Sequence, residues 1–99
     1  MKNLAEILKA ERKKRGWILR HAAAQLDIDQ AIISKIEKGD RRPTREQIEK
    51  FAQVYNLNLD ELLILWLSDK IVSDISYEKN PETILKVAEK AIKYNIQKK

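Results

Sequence analysis

Gln30, Ala31, Ser34 and Lys35 lie on one short stretch, QLDIDQAIISKIEKGDRRPT, which runs from Gln25 to Thr44. Asp29 stands where a helix N-cap belongs, and Gly39 stands where a helix stops. With Ile33 and Ile36 set inward at about 100° per residue, Ala31, Ser34, Lys35 and Lys38 point outward. Gln30 then lies at the flank, and Ile32 and Glu37 border the core. Small, amide and basic side chains on one face match the edges of base pairs. A Gln amide pairs bidentately with adenine, Lys donates to guanine, and Ala31 leaves room for a thymine methyl. Arg41, Arg42 and Arg45 follow at once, placed to meet phosphates beside such a groove. The stretch reads as a recognition helix for duplex DNA.

The elements that must hold this helix can be read on either side of it. Helix one is predicted from Asn3 to Arg15, with Asn3 and Glu6 at capping-box spacing and Leu4, Ile7 and Leu8 as its inward stripe. Its last turn carries Lys13, Lys14 and Arg15, a charge cluster suited to the helix dipole, and Gly16 ends it. Trp17 is expected to pack where helices one and two meet. Helix two runs from about Ile18 to Leu26, and Ala22, Ala23 and Ala24 allow close contact with the recognition helix. Pro43 makes Arg42 extended, so the segment after Gly39 is a loop. Thr44 and Gln47 cap helix four, which reaches about Tyr55; after the turn 56–58, Asn58 and Glu61 open helix five. No strand alternation of useful length appears, so the fold class is all-α.

Composition agrees with this. The chain has 99 residues, 43% of them apolar, enough for one small packed domain. Residues 1–45 carry twelve Lys or Arg against six Asp or Glu, whereas residues 46–99 carry eight against nine. The positive excess therefore lies with the proposed DNA reader. With no Cys and a single histidine, His21, neither a disulfide framework nor a zinc site is expected, and no nucleophile constellation points to catalysis. No cofactor is expected. No stretch approaches a membrane span and Lys2 is followed by a mixed amphipathic segment rather than a signal peptide, so a bacterial or phage-type cytoplasmic, nucleoid-associated protein is expected.

Residues 4–65 resemble the helix-turn-helix family of lambda Cro and repressor-like regulators, the XRE family. The resemblance rests on an ungapped run from Gly16 to Thr44, with Ala23 at the small position of helix two and Leu26, Ile28, Ile33 and Ile36 at core positions. Its most specific part is Ser34-x-x-Glu37-x-Gly39-x-x-x-Pro43, followed by Asn58-Leu59-Asp60-Glu61-Leu62-Leu63 at the start of helix five. It implies a five-helix lambda-repressor-like DNA-binding domain in which the second helix crosses the third, and the third enters the major groove. It also implies base-reading positions at Gln30, Ala31 and Lys35, backbone positions at Lys38, Arg41 and Arg42, and an ion pair between Arg12 and Glu37. Three departures from the family pattern stand out. Ile18 and Leu19 replace a capping hydroxyl and a phosphate-contacting amide, leaving Arg20 to take over that contact. Asp27 stands for the glycine of the turn, and Glu11 for an apolar residue.

Beyond this domain, residues 67–99 form a helical extension to a DNA-binding domain of residues 1–66. Leu62 to Leu67 is apolar all round, Ile71, Val72 and Ile75 continue the pattern, and residues 74–80 are a polar break. Asn80-Pro81-Glu82-Thr83 starts a last helix, with Ile84, Ala88, Ala91, Ile92 and Asn95 on one face and a basic tail, Lys98-Lys99, at its end. Apolar groups at Trp66, Leu67, Ile71, Ile84, Ala88 and Ile92 exceed what the domain core needs; of two readings, a cap on the chain's own core or a homodimer seam, the seam is the expectation. The expected function is a dimeric transcriptional regulator on a pseudo-palindromic operator, competing with or recruiting RNA polymerase. Its size resembles restriction–modification controller proteins and small phage-type repressors. The alternative is an antitoxin that binds a toxin protein and regulates its own promoter.

Overall fold

The computed structural model describes residues 3–98, which form six α-helices: α1 (Leu4–Lys14), α2 (Leu19–Leu26), α3 (Gln30–Glu37), α4 (Arg45–Val54), α5 (Leu59–Ile75) and α6 (Pro81–Lys98). No strand occurs among the described residues, and the fold is all-α. The expected tail ends at Lys99, outside the described residues.

One device ends each of the first four helices. Gly16, Asp27, Gly39 and Asn56 all take left-handed backbone, with φ of 70°, 54°, 79° and 53°. After α1, α3 and α4, two amides turn back on the last carbonyls. The amides of Gly16 and Trp17 reach the carbonyls of Lys13 and Arg12, those of Gly39 and Asp40 reach Ile36 and Lys35, and those of Asn56 and Leu57 reach Gln53 and Ala52. This is the Schellman closure, which satisfies orphan carbonyls and reverses the chain within two residues. Glycine adopts it freely, and Asp and Asn adopt it more readily than most other residues, which accounts for Asp27 replacing a turn glycine. After α1, α2 and α4 the closing residue is apolar: Trp17, Ile28 and Leu57 each fold back onto the core.

Helix starts are set by side chains. The amide of Glu6 donates to Asn3 Oδ1 at 2.9 Å, that of Ala31 to Asp29 Oδ1 at 2.8 Å, and that of Glu61 to Asn58 Oδ1 at 3.0 Å. Thr44 and Gln47 make the full reciprocal box. Ile18, at the N-cap of α2, makes no such bond and is 54% exposed.

The chain divides into two compact units, the first ending at Asp69 and the second beginning at Lys70. In the first, Leu8, Leu26, Ile33, Ile48, Phe51 and Tyr55 are fully buried. Tyr55 packs at 5.8 Å from Phe51 and 6.1 Å from Trp17, ring centre to ring centre. Its hydroxyl is buried with no hydrogen-bond partner among the described residues, and burial pushes its pKa up to about 12. Arg15 has left the charge cluster expected of it. It donates to the Tyr55 carbonyl at 2.9 Å and lies 4.9 Å over the Tyr55 ring, while Glu11 accepts from its Nη1 at 2.9 Å. An acid at position 11 is thus matched by the base one turn later, where an apolar residue would have left Arg15 unpaired.

In the second unit α6 is amphipathic. Ile84, Ala88, Ala91 and Ile92 share one face, while Lys86, Glu89, Lys90 and Lys93 share the other, where Lys93 pairs with Glu89 at 2.8 Å. Its apolar face is exposed, with Ile92 at 59%.

Trp66 is bound into the first unit, which runs to Asp69. The indole Nε1 donates to the Pro43 carbonyl at 2.7 Å, and the ring packs against the core. Trp66, expected on the dimer seam, is therefore part of its own unit's packing. A buried indole N–H needs an acceptor, and the extended Arg42-Pro43 loop supplies one.

Candidate nucleic-acid interface

The orientation of α3 follows from what it buries. Ile33 and Ile36 are fully buried, with Ile28 beneath the turn before them. Ala22 is also fully buried, and its small side chain lets α2 approach α3 closely. That leaves Gln30, Ala31, Lys35 and Lys38 exposed and Ser34 half-buried at the edge. The four residues assigned to base reading thus lie on or beside one solvent-facing strip.

The C-terminal end of α3 is anchored by a buried ion pair. Arg12 Nε donates to Glu37 Oε2 at 2.8 Å and Nη2 to Oε1 at 2.9 Å, the fork geometry of guanidinium on carboxylate. Arg12 Nη1 donates to the Trp17 carbonyl at 2.8 Å, so one side chain ties α1 to both α3 and the turn before α2. The bond to Glu37, against the opposing effect of burial, raises the Arg12 pKa above its ordinary value. With side-chain exposures of 12% and 5%, neither partner is free to face a ligand. A second tie holds the turn between α2 and α3, where Lys50 Nζ donates to the Asp27 carbonyl at 3.1 Å.

The cations assigned to phosphate are all exposed: Arg20 on α2, Lys38 at the end of α3, Arg41 and Arg42 in the loop, and Arg45 on α4. Gly39 aims that loop away from α3, and Pro43 is buried beneath it. Two of these arginines are less free than their exposure implies. Arg42 Nη1 donates to the Trp66 carbonyl at 3.0 Å, and its guanidinium carbon lies 4.1 Å from the Trp66 ring centre. Arg45 lies 5.4 Å from the same ring. The sequence reading missed this cluster. Its one signal was a tryptophan a single turn beyond buried Leu62, whose N–H had to find an acceptor.

Among the described residues no cluster of His, Cys, Asp or Glu could hold a metal ion. Lone His21 is exposed on α2. No helix is long and apolar enough to cross a membrane, among the same residues.

The leftover apolar groups are exposed: Leu67 is 44% and Ile71 48% accessible on α5, and Ile84, Ala88 and Ile92 are exposed on α6.

Comparison with known proteins places this geometry. The helix-turn-helix family profile matches residues 8–62. The chain is similar to the HTH-type transcriptional regulator AnsR of Bacillus subtilis (strain 168), 36% identical over 52 residues, which are 52% of this chain and 45% of AnsR. It is 36% identical over 55 residues to the uncharacterized HTH-type transcriptional regulator YazB of the same organism, covering 56% of this chain and 80% of YazB. It is also 33% identical over 61 residues to that organism's HTH-type transcriptional regulator ImmR, covering 62% of this chain and 48% of ImmR. The chain thus spans about half the length of AnsR and ImmR. No solved structure matches it. Its profile match covers more than half of the sequence and runs from the middle of α1 to the first turn of α5, and the chain belongs to the XRE-type helix-turn-helix family.

Proposed function

We propose that the protein is a sequence-specific, double-stranded-DNA-binding transcriptional regulator that acts as a homodimer on a pseudo-palindromic operator. The observation that carries this reading is the exposed strip Gln30, Ala31 and Lys35 on a helix locked by its buried face, with exposed Lys38, Arg41, Arg42 and Arg45 after it. Gln30, Ala31, Ser34 and Lys35 read base edges in the major groove. Arg20, Lys38, Arg41, Arg42 and Arg45 meet phosphates and set the register. Three relatives named as transcriptional regulators support the same reading.

The homodimer is supported by apolar side chains that each unit leaves exposed, Leu67 in the first and Ile71, Ile84, Ala88 and Ile92 in the second. A two-fold axis would bury those side chains and set two α3 helices about 34 Å apart, one turn of DNA. Bound there, the dimer competes with or recruits RNA polymerase. The same unpartnered face of α6 supports the antitoxin alternative, in which a toxin protein takes the place of the second copy.

Selection of bound duplexes from a random pool tests the proposal. Enrichment of a two-fold-related pair of half-sites is expected. A pool that stays random after repeated rounds rejects sequence-specific binding, and a single half-site bound by a monomer rejects the dimer. A small protein that co-purifies in place of the second copy selects the antitoxin reading.

A further inference from the structure

Trp66 makes more polar contacts than core packing requires. Its N–H is taken by the Pro43 carbonyl and its own carbonyl by Arg42 Nη1, and its ring lies under two guanidinium groups, at 4.1 Å for Arg42 and 5.4 Å for Arg45. Neither arginine has a carboxylate within ion-pair distance among the described residues, and Arg42 Nε and Nη2 have no acceptor among them. Two guanidinium charges are thus held against an uncharged ring, and a phosphate is the counter-ion they lack. Arg42 is held over the ring with Nε and Nη2 unbonded among the described residues, so rotamer freedom is already spent while those N–H groups remain to bind.

We propose that Trp66 is a positioning residue for DNA binding: it holds Arg42, with Arg45 beside it, so that the unshared guanidinium edge meets a backbone phosphate without further ordering. This rests on the DNA-binding reading above and adds to it a residue that touches no nucleotide. Trp66 acts through Arg42. The cost of freezing a long side chain is met on folding, and binding gains what it would otherwise lose.

The full-length chain and a mixed-sequence duplex of about 30 base pairs form the test, since phosphate contacts are sequence-independent. Trp66→Leu removes the ring, whereas Trp66→Phe keeps a smaller aromatic face and gives up the bond to Pro43. Duplex affinity is expected to fall about five- to tenfold for Trp66→Leu and about twofold or less for Trp66→Phe. In the Arg42→Ala background, Trp66→Leu is expected to change affinity by less than about twofold, because the residue it positions is gone. Equal losses in both backgrounds, or no loss in either, overturn the proposal. Thermal melting of each variant accompanies the titrations. Where Trp66→Leu melts too early to be titrated, the Trp17→Phe chain, in which Trp66 is the remaining tryptophan of the original two, decides the matter by fluorescence. Its emission should shift on duplex binding, and the shift should vanish with Arg42→Ala. A shift that persists without Arg42, or is absent with it, overturns the proposal. A wild-type chain that binds no duplex at low salt instead rejects the DNA-binding reading itself.

Discussion

At the scale of single residues, the side chains proposed to read bases and those that hold the fold are different members of the same short helix. Gln30 is exposed and ties nothing together, so its removal should leave the fold alone. Gln30→Ala is expected to weaken the preferred site by about 1–3 kcal/mol and to relax preference at one or two positions per half-site, as seen by selection from a random pool. Glu37 and Arg12 are the reverse case. Arg12→Ala leaves a carboxylate only 5% exposed without its partner, and a loss of about 3–5 kcal/mol is expected in urea unfolding. Tyr55 adds a pH dependence. Its pKa is about 12 when folded against 10.0 otherwise, so above pH 10 the unfolded chain releases the proton that the native chain keeps. Stability from this group is intact below about pH 10 and is lost as pH rises through about 12. Tyr55→Phe should remove that part of the alkaline fall. It should also raise neutral-pH stability by about 1 kcal/mol, since it deletes a buried hydroxyl that has no partner.

At the scale of elements, the loop after α3 matters as much as the helix. The closure at Gly39 is made by backbone alone and points Arg41 and Arg42 off the helix axis. Arg41, exposed and with no ion pair among the described residues, is the cleaner probe of phosphate binding, because Arg42 also holds Trp66. Arg41→Ala is expected to weaken specific and non-specific duplexes alike and to flatten the slope of log affinity against log salt by about one unit for each phosphate no longer neutralised. A loss confined to one base position would reassign Arg41 as a base reader. The α2 start is the weak element, since Ile18 brings no capping oxygen and leaves the first amides of α2 without a side-chain partner.

At the scale of the whole molecule, the question is what covers the apolar surface left after the first unit has closed. The first unit completes a core around Phe51 and Tyr55, whereas α6 keeps Ile84, Leu85 and Ile92 in water. Truncation after Asp74 is expected to leave a folded domain that dimerises weakly and loses most of its operator affinity, because two half-sites are no longer held by one unit. Sedimentation at micromolar concentration, alongside operator binding, checks this. A wild-type monomer, or a truncated chain that dimerises and binds equally well, would leave the extension without that role.

Local chemistry sufficed for much of this architecture. Capping oxygens at Asn3, Asp29, Thr44 and Asn58, left-handed stops at Gly16, Asp27 and Gly39, and the inward period of Ile33 and Ile36 act within one or two turns of chain, so the order of helices and the outward face of α3 are legible from the residues themselves. The interactions the sequence reading missed or misassigned join residues that are distant in sequence or depend on an environment no local pattern encodes. Arg15 crosses forty positions to the Tyr55 carbonyl, Trp66 crosses twenty-three to Pro43, and the Tyr55 hydroxyl is stranded by packing from several helices at once. A basic residue in a last helical turn reads the same whether it faces water or an aromatic ring, and a tryptophan N–H reads the same whichever carbonyl it will meet. Tertiary packing decided between these, because only the folded chain determines which donor lies within hydrogen-bond reach of which acceptor.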